Sequence, residues 1–309
     1  MINLIGCLTA DLILAQVQDR PDFGEEHMVD EMFIRPGALA NIIFPLAKLG
    51  VQQNVISSLG KDEFGEKIYQ ELKPLINDGI SRTDIPTALS VSVVNTVGSR
   101  YFVTYGGNLL QFTKEIVDRA PVFEQARATM FYGYFLIPNF GVEATADCLK
   151  RARSSGQITF FDANSAIDGW SEKSRQEILS LLPYIDYFLP NDEELLHLTG
   201  LDNIDDAIKL LMEKGAKSIV VKRGSKGASL FKGNEVYHHE GYPTTAYDTT
   251  GAGDSFNAGF IYKLLQGGNY QESLQFGNAL ASIVVSRKEN RYPTLQEAEE
   301  RMRVSICCN

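Results

Sequence analysis

Cysteine and histidine are scarce in this chain, four of each in 309 residues. Cys7, Cys148, Cys307 and Cys308 include no CxxC pair, and His27, His197, His238 and His239 include no HxxxH pair. That excludes the usual zinc-site and metal-hydrolase patterns. His238 and His239 are adjacent on an expected strand, so they face opposite sides. The thiols read as those of a reduced, cytoplasmic protein, and the Cys307–Cys308 pair as an incidental tail feature. No apolar run approaches the ~18 residues of a membrane span. Ile2–Ile5 opens the chain as a strand, without the basic region and long apolar core of a signal peptide. Basic residues are outnumbered, 29 Lys and Arg against 39 Asp and Glu, for a net charge of −10. This removes the electrostatic footprint of a nucleic-acid or membrane binder. Internal repeats, charge blocks and low-complexity linkers are also absent. No glycine fingerprint follows the first strand, which argues against a dehydrogenase, and no Walker A sequence occurs.

What is present is an ordinary globular composition, 44% hydrophobic, enough for a sizeable core. Short apolar runs alternate with helical periodicity. Strands are expected near Ile2–Gly6, Val55–Leu59, Thr129–Tyr132, Ile158–Phe161, Tyr187–Leu189 and Ser218–Lys222. Helices are expected near Asn41–Leu49, Glu63–Leu75, Val142–Ser154, Lys173–Leu181, Glu193–Leu198 and Ile204–Lys214. A hairpin is expected around Gly233-Asn234, and the last part is helical. This alternation predicts an α/β fold, a doubly wound and mostly parallel sheet flanked by helices. Two sheet-like stretches, about 11–36 and 86–108, interrupt it and read as one small β-sheet lid on a single domain of residues 1–309.

The most specific segment is Asp248-Thr249-Thr250-Gly251-Ala252-Gly253-Asp254-Ser255-Phe256-Asn257-Ala258-Gly259-Phe260. A polar, glycine-rich loop becomes an apolar helix, with Ala258, Ile261, Leu264 and Leu265 at helical spacing. The first turn of a helix carries unpaired N–H groups, and its dipole favours an anion. Asp254 adds a carboxylate within that turn. An anion cradle beside a base is the equipment of phosphoryl transfer. The bland alternative is a helix N-terminus capped by Thr250 or Asp254. The full string closely resembles the signature of the PfkB or ribokinase-like carbohydrate kinases. The resemblance implies a ribokinase-like fold, Asp254 as the catalytic base, and the backbone of Gly251, Ala252 and Gly253 as an anion hole.

On the sugar side, Asp11 lies just past the first strand, where α/β sheets bind ligands, and an ionised Asp accepts hydrogen bonds from hydroxyls. Pro36-Gly37-Ala38-Leu39-Ala40-Asn41 resembles the family's Gly-Gly-x-x-x-Asn, with Gly37 and Asn41 matching and Pro36 replacing the first glycine. Asn41 also reads as a helix cap, and Pro45 as a kink in the following helix. Gly60-Lys61-Asp62-Glu63-Phe64-Gly65 reads as a structural turn with Asp62 capping a helix. Tyr105, near Arg100 on the expected lid, is a candidate cover for the sugar. Asp162-Ala163-Asn164 with Trp170 resembles the family's Asp-x-Asn…Trp stretch. It makes Asn164 a substrate candidate and Trp170 a core residue.

On the nucleotide side, Asn191 and Glu194 share one helix N-terminus. They read equally as a cap or as holders of a hydrated Mg2+, with Glu194 acting through water. They match the family's Asn-x-x-Glu. Lys222, Gly224, Ser225 and Gly227 resemble the segment bordering the nucleotide, while a bare hairpin turn is the bland reading. The resemblance also assigns Thr250 and Asn278 to the nucleotide. Asp248 and the Ser286–Asn290 loop correspond to a K+ region in many relatives; this loop lacks the glycine that relatives often carry there.

These readings converge on an ATP- and Mg2+-dependent kinase phosphorylating a hydroxymethyl group of a small sugar, with K+ left open. A homodimer through the lid follows from the resemblance. The alternatives are a nucleoside kinase on the same fold and a sugar sensor that binds without transfer.

Overall fold

The computed structural model describes residues 1–18, 22–95, 100–120, 123–288 and 291–304. The chain runs β1 (Ile2–Gly6), β2 (Leu8–Val17), β3 (Glu31–Ala38), α1 (Ala40–Lys48), β4 (Gln53–Gly60), α2 (Glu63–Leu72) and β5 (Asn77–Thr83). It continues through β6 (Leu89–Asn95), β7 (Arg100–Tyr105), α3 (Lys114–Asp118), β8 (Ala128–Tyr132), α4 (Gly141–Ser154), β9 (Ile158–Asp162) and α5 (Glu172–Leu181). Then come β10 (Tyr187–Phe188), α6 (Asp192–Thr199), α7 (Ile204–Glu213), β11 (Ile219–Lys222), β12 (Ala228–Lys232) and β13 (Glu235–His239). Three helices close it: α8 (Ala252–Leu265), α9 (Tyr270–Ser286) and α10 (Leu295–Val304).

Nine strands form the main sheet in the order β13-β12-β11-β10-β9-β8-β1-β4-β5. It is parallel from β11 to β5, and the hairpin β12–β13 adds two antiparallel strands at one edge. The α/β expectation therefore holds. From β1 the chain builds outward through β4 and β5, then returns to place β8 on the other side. A doubly wound sheet binds ligands at such a reversal, beyond the carboxyl ends of its strands. Those ends carry Gly6, Tyr132, Asp162 and Lys222.

A second sheet, ordered β3-β2-β6-β7, joins the two interrupting stretches. β2 pairs antiparallel with β3, placing Asp11 opposite Arg35 and Thr9 opposite Gly37. Residues 96–99, between β6 and β7, lie outside the described residues.

Burial explains the alternation. Phe131, Phe160, Phe161 and Phe188 of the central strands are fully buried. Phe131 and Phe161 stack at 5.6 Å. Each such ring removed from water contributes about 1.5–3 kcal/mol. Helix α8 packs on α9 so closely that a Cβ on Gly259 would stand 2.9 Å from the Gly277 Cα. Trp170 is buried, as expected. Asp62 caps α2 by accepting the Gly65 N–H at 3.0 Å. Helix α1 runs on through Pro45, which removes only one N–H from its ladder. No helix among the described residues is long and apolar enough to cross a membrane.

Strand β5 is not anticipated by the apolar pattern. Its sequence, Asn-Asp-Gly-Ile-Ser-Arg-Thr, offers one buried apolar residue, Ile80. An edge strand is supported from one side only, and polar side chains protect its open edge from other chains.

Candidate active site

The loop before α8 ends at Gly251, which sits at the N-cap in the left-handed conformation (φ 77°). Only a residue without a Cβ adopts this readily. The helix has no side-chain cap, so neither Thr250 nor Asp254 serves in that way. The Ala252 N–H turns back to the Thr249 carbonyl at 3.2 Å. That carbonyl competes with any anion for the Ala252 N–H expected from the sequence to donate. Gly253 and the following N–H of the first turn complete the set of donors from which such a cradle would be built. A Cβ on Gly253 would lie 3.5 Å from Lys222 Nζ, so an ammonium stands against the cradle.

Lys222, at the end of β11, is held by Asp162 at the end of β9, with Nζ to Oδ2 at 2.6 Å. Asn257 of α8 donates to the same oxygen at 2.7 Å. Burial alone would lower the Lys222 pKa, but Asp162 and Glu194 outweigh it and hold the amine above its ordinary value. The positive charge is therefore fixed at working pH.

Asp254 occupies the first turn of α8, partly exposed. Burial and then the Asp162 charge push its carboxyl up to about 7, against the opposing pull of Lys222, Tyr132 and Asn41. That is the range where a general base works best at neutral pH. The Tyr132 and Asn41 side chains lie on the Asp254 side of the site, where each favours the ionised carboxylate. Asn164 donates to the Tyr132 hydroxyl at 3.2 Å, and its own Oδ1 is buried without a partner.

Asn41 lies inside α1, whose N-cap is Leu39, so its capping reading fails. Its Oδ1 accepts from the Tyr292 hydroxyl at 3.1 Å. Asp11 lies across Gly37: a Cβ there would fall 2.0 Å from Asp11 Oδ1. Asp11 accepts from Thr9 at 2.8 Å. Burial raises its carboxyl to about 6, with Thr9 and Arg35 opposing. Asp11, Gly37, Asn41, Asn164 and Asp254 thus come from separate elements to one side of the anion cradle. Tyr105 is not tied to this group. It is half exposed at the end of β7, and no described hydrogen bond or ring contact links it to Asp11, Asn41 or Asp254.

On the other side of the cradle is a cavity of about 490 Å³, within the size range of small-molecule sites. Lys222, Gly224, Ser225, Gly227 and Asn278 line it together with Ala252 and Gly253. Its apolar wall is supplied by Tyr242, Phe256, Ala281 and Val285. Thr250 is absent from that lining; it is buried, and its carbonyl accepts from Arg291 at 2.7 Å. Asn191 and Glu194 form a complete capping box for α6. Asn191 accepts the Glu194 N–H at 2.7 Å, and Glu194 accepts the Asn191 N–H at 3.0 Å. Ser165 also donates to Glu194 at 3.2 Å. Burial, then the Asp162 charge, raises the Glu194 pKa. No cluster of three or more metal-ligating side chains exists among the described residues. Glu194 lies within electrostatic reach of Asp162 and Lys222 at the strand ends, and a single carboxylate there fits an ion that keeps its waters and arrives with a phosphate.

Asp248 does not fit a K+ ion. Its Oδ2 receives Arg35 at 2.7 Å and Arg291 at 2.9 Å. Burial would raise its carboxyl, yet the two guanidinium groups push it down to about 2. A cation there would meet two fixed positive charges. Glu289 and Asn290 of the late loop lie outside the described residues.

Asp162, Tyr132, Tyr292, Arg35 and Arg291 escaped the reading of site residues. Asp162 was signalled by its Asp-x-Asn motif. The others are marked by no local pattern.

The sequence pattern of the pfkB family carbohydrate kinases matches residues 1–297. A 5-dehydro-2-deoxygluconokinase of Geobacillus thermodenitrificans is 28% identical over 85% of this chain and 82% of its own. A ribokinase of Haemophilus influenzae is 28% identical over 85% of this chain and 86% of its own. Among solved structures, a ribokinase of Thermotoga maritima superposes with a TM-score of 0.81 at 27% identity, covering 98% of this chain and 99% of that one. A putative ribokinase II of E. coli in complex with ATP and Mg2+ shares the fold, with a TM-score of 0.83 at 24% identity over 98% and 99% of the two chains.

Proposed function

Since this chain belongs to the pfkB family of carbohydrate kinases, we propose that it transfers the γ-phosphoryl group of ATP to a hydroxymethyl group of a small sugar. The carrying observation is the position of Asp254. Its carboxylate, raised to about 7 and influenced by Tyr132 and Asn41, shares the first turn of α8 with Ala252 and Gly253, which line the 490 Å³ cavity.

Asp11, Asn41 and Asn164 hold the sugar hydroxyls, and the unpartnered Asn164 Oδ1 supports that role. The sugar oxygen attacks the γ-phosphorus as Asp254 takes its proton. The bond between that phosphorus and the β,γ-bridging oxygen breaks, and ADP leaves. Lys222 and the N–H groups of the α8 first turn stabilise the charge on the transferring group. Asn278, Ser225 and the apolar wall receive the nucleoside end. Glu194 would hold a Mg2+ arriving with ATP through the ion's waters, and that ion would supply charge neutralisation to the phosphates.

The small sheet serves as a lid over the sugar. Its exposed Met32, Tyr101 and Val103, which the strand register puts on one face, support pairing with a second copy. The buried free thiols Cys7 and Cys148 accord with a cytoplasmic location.

The test is ADP release over a panel of pentoses, hexoses, keto sugar acids and nucleosides. Release with one sugar or sugar acid, abolished in Asp254→Asn, supports the proposal. Release only with nucleosides replaces the acceptor. Saturable sugar binding with no release at any ATP concentration turns the protein into a sensor.

A further inference from the structure

The loop leading into the anion cradle is held by a side chain that lies 41 residues further along the chain. Arg291 Nη1 meets Asp248 Oδ2 at 2.9 Å. Arg291 Nη2 donates to the Thr250 carbonyl at 2.7 Å and reaches the Asp248 carbonyl at 3.5 Å. Arg35 of β3 donates to the same Asp248 oxygen at 2.7 Å. The other Asp248 oxygen accepts the Thr250 N–H at 2.8 Å. One carboxylate and two main-chain carbonyls from residues 248–250 thus converge on one guanidinium. An all-oxygen set of this kind is what a hard cation seeks. Here the rigid fork of an arginine takes it, and Arg291 is only 8% exposed.

Gly251 and Gly253 follow immediately. A guanidinium that fixes residues 248–250 therefore fixes the direction in which the cradle N–H groups point. Arg35 extends the tie to β3, the strand that carries Gly37 beneath Asp11. The sugar-side strand and the phosphate-side loop share one carboxylate.

We propose that Arg291 is a built-in cation. It is a positioning residue that holds the cradle loop in place of a bound monovalent ion, so that nucleotide binding and turnover are independent of K+. The turnover half of this rests on the kinase reading; the nucleotide half does not.

The test uses the full chain as wild type, Arg291→Lys and Arg291→Ala, in potassium, sodium and choline chloride at equal ionic strength. ADP affinity is measured by calorimetry, melting temperature by circular dichroism, and kcat and KM with any sugar the wild type phosphorylates. Wild-type values are expected to agree within about twofold across the salts. Arg291→Ala is expected to lose about tenfold or more in ADP affinity and kcat, with sugar KM little changed, because a misplaced cradle costs transfer. Millimolar guanidinium or K+ is expected to restore part of that loss, and Arg291→Lys to retain more activity than the alanine variant. Wild-type ADP affinity that rises severalfold in K+ over choline overturns the proposal. So does a folded Arg291→Ala with undiminished affinity and turnover in choline, or a loss that neither cation relieves. If Arg291→Ala does not fold, the wild-type salt series and Arg291→Lys decide. If no sugar is phosphorylated, the kinase reading fails alone and ADP affinity still decides this one.

Discussion

Lys222 and Asp162 form a 2.6 Å ion pair between the carboxyl ends of β11 and β9, with side chains 12% and 3% exposed. The amine also lies against Gly253. The same pair therefore steadies the sheet ends and supplies positive charge to the cradle. Lys222→Met would leave Asp162 charged and buried. It is expected to cost about 3–5 kcal/mol in denaturant unfolding. Adding Asp162→Asn should recover much of that stability and none of the turnover. Recovery of both would show that the amine has no part in transfer.

Asp254→Asn is expected to keep the fold and to lose about a hundredfold or more in kcat. Wild-type kcat/KM should rise as pH increases through about 7, since the carboxyl must be ionised to take a proton. A flat profile between pH 5.5 and 8 removes Asp254 as the base.

The same raised pKa has a stability consequence. Asp254 binds its proton more tightly folded than unfolded. Its contribution is thus fully present below the unfolded value near 3.8 and lost as pH rises through about 7. Asp254→Asn should melt at or above the wild-type temperature at pH 8, with the gap closing near pH 4. A variant that melts well below wild type at pH 8 contradicts this.

Gly251→Ala places a Cβ at a φ of 77°, 3.1 Å from Asn41 Cγ. The left-handed backbone alone costs about 1–2 kcal/mol. The displaced Asn41 should also raise the sugar KM and lower kcat. Unfolding and steady-state kinetics on one preparation check both effects.

Tyr292→Phe removes the 3.1 Å hydrogen bond to Asn41 Oδ1 and keeps the ring that stacks on Phe44 at 5.4 Å. Stability should change by about 1 kcal/mol or less, and the sugar KM should rise severalfold. An unchanged KM would show that Tyr292 does not orient Asn41.

Contiguous chemistry was legible before folding. Asp254 and its cradle occupy one helical turn, and the turn's own geometry dictates what an N-terminus with small residues can do. Repeated apolar strands, each rich in Phe, Ile or Val, similarly announce a buried parallel sheet. Strand β5 escaped because an edge needs little apolar surface. The competing partner of the Ala252 N–H, the Thr249 carbonyl three residues back, is set by the path of the backbone and leaves no mark in residue type.

The amino-acid order alone determined the alternating architecture, the helix start at Gly251-Ala252-Gly253-Asp254 and the pairing of bare N–H groups with a carboxylate in that turn, because these depend on neighbours within a few residues. Only the tertiary structure decided which distant charges meet. Arg35 reaches Asp248 across 213 positions, Lys222 reaches Asp162 across 60, and Tyr292 reaches Asn41 across 251. The physical reason is that Coulomb and hydrogen-bond energies depend on separation in space. The parallel sheet gathers its strand ends at one edge whatever their distance along the chain, and that gathering tunes Asp254, commits Asp248 to arginine, and sets Lys222 against the cradle.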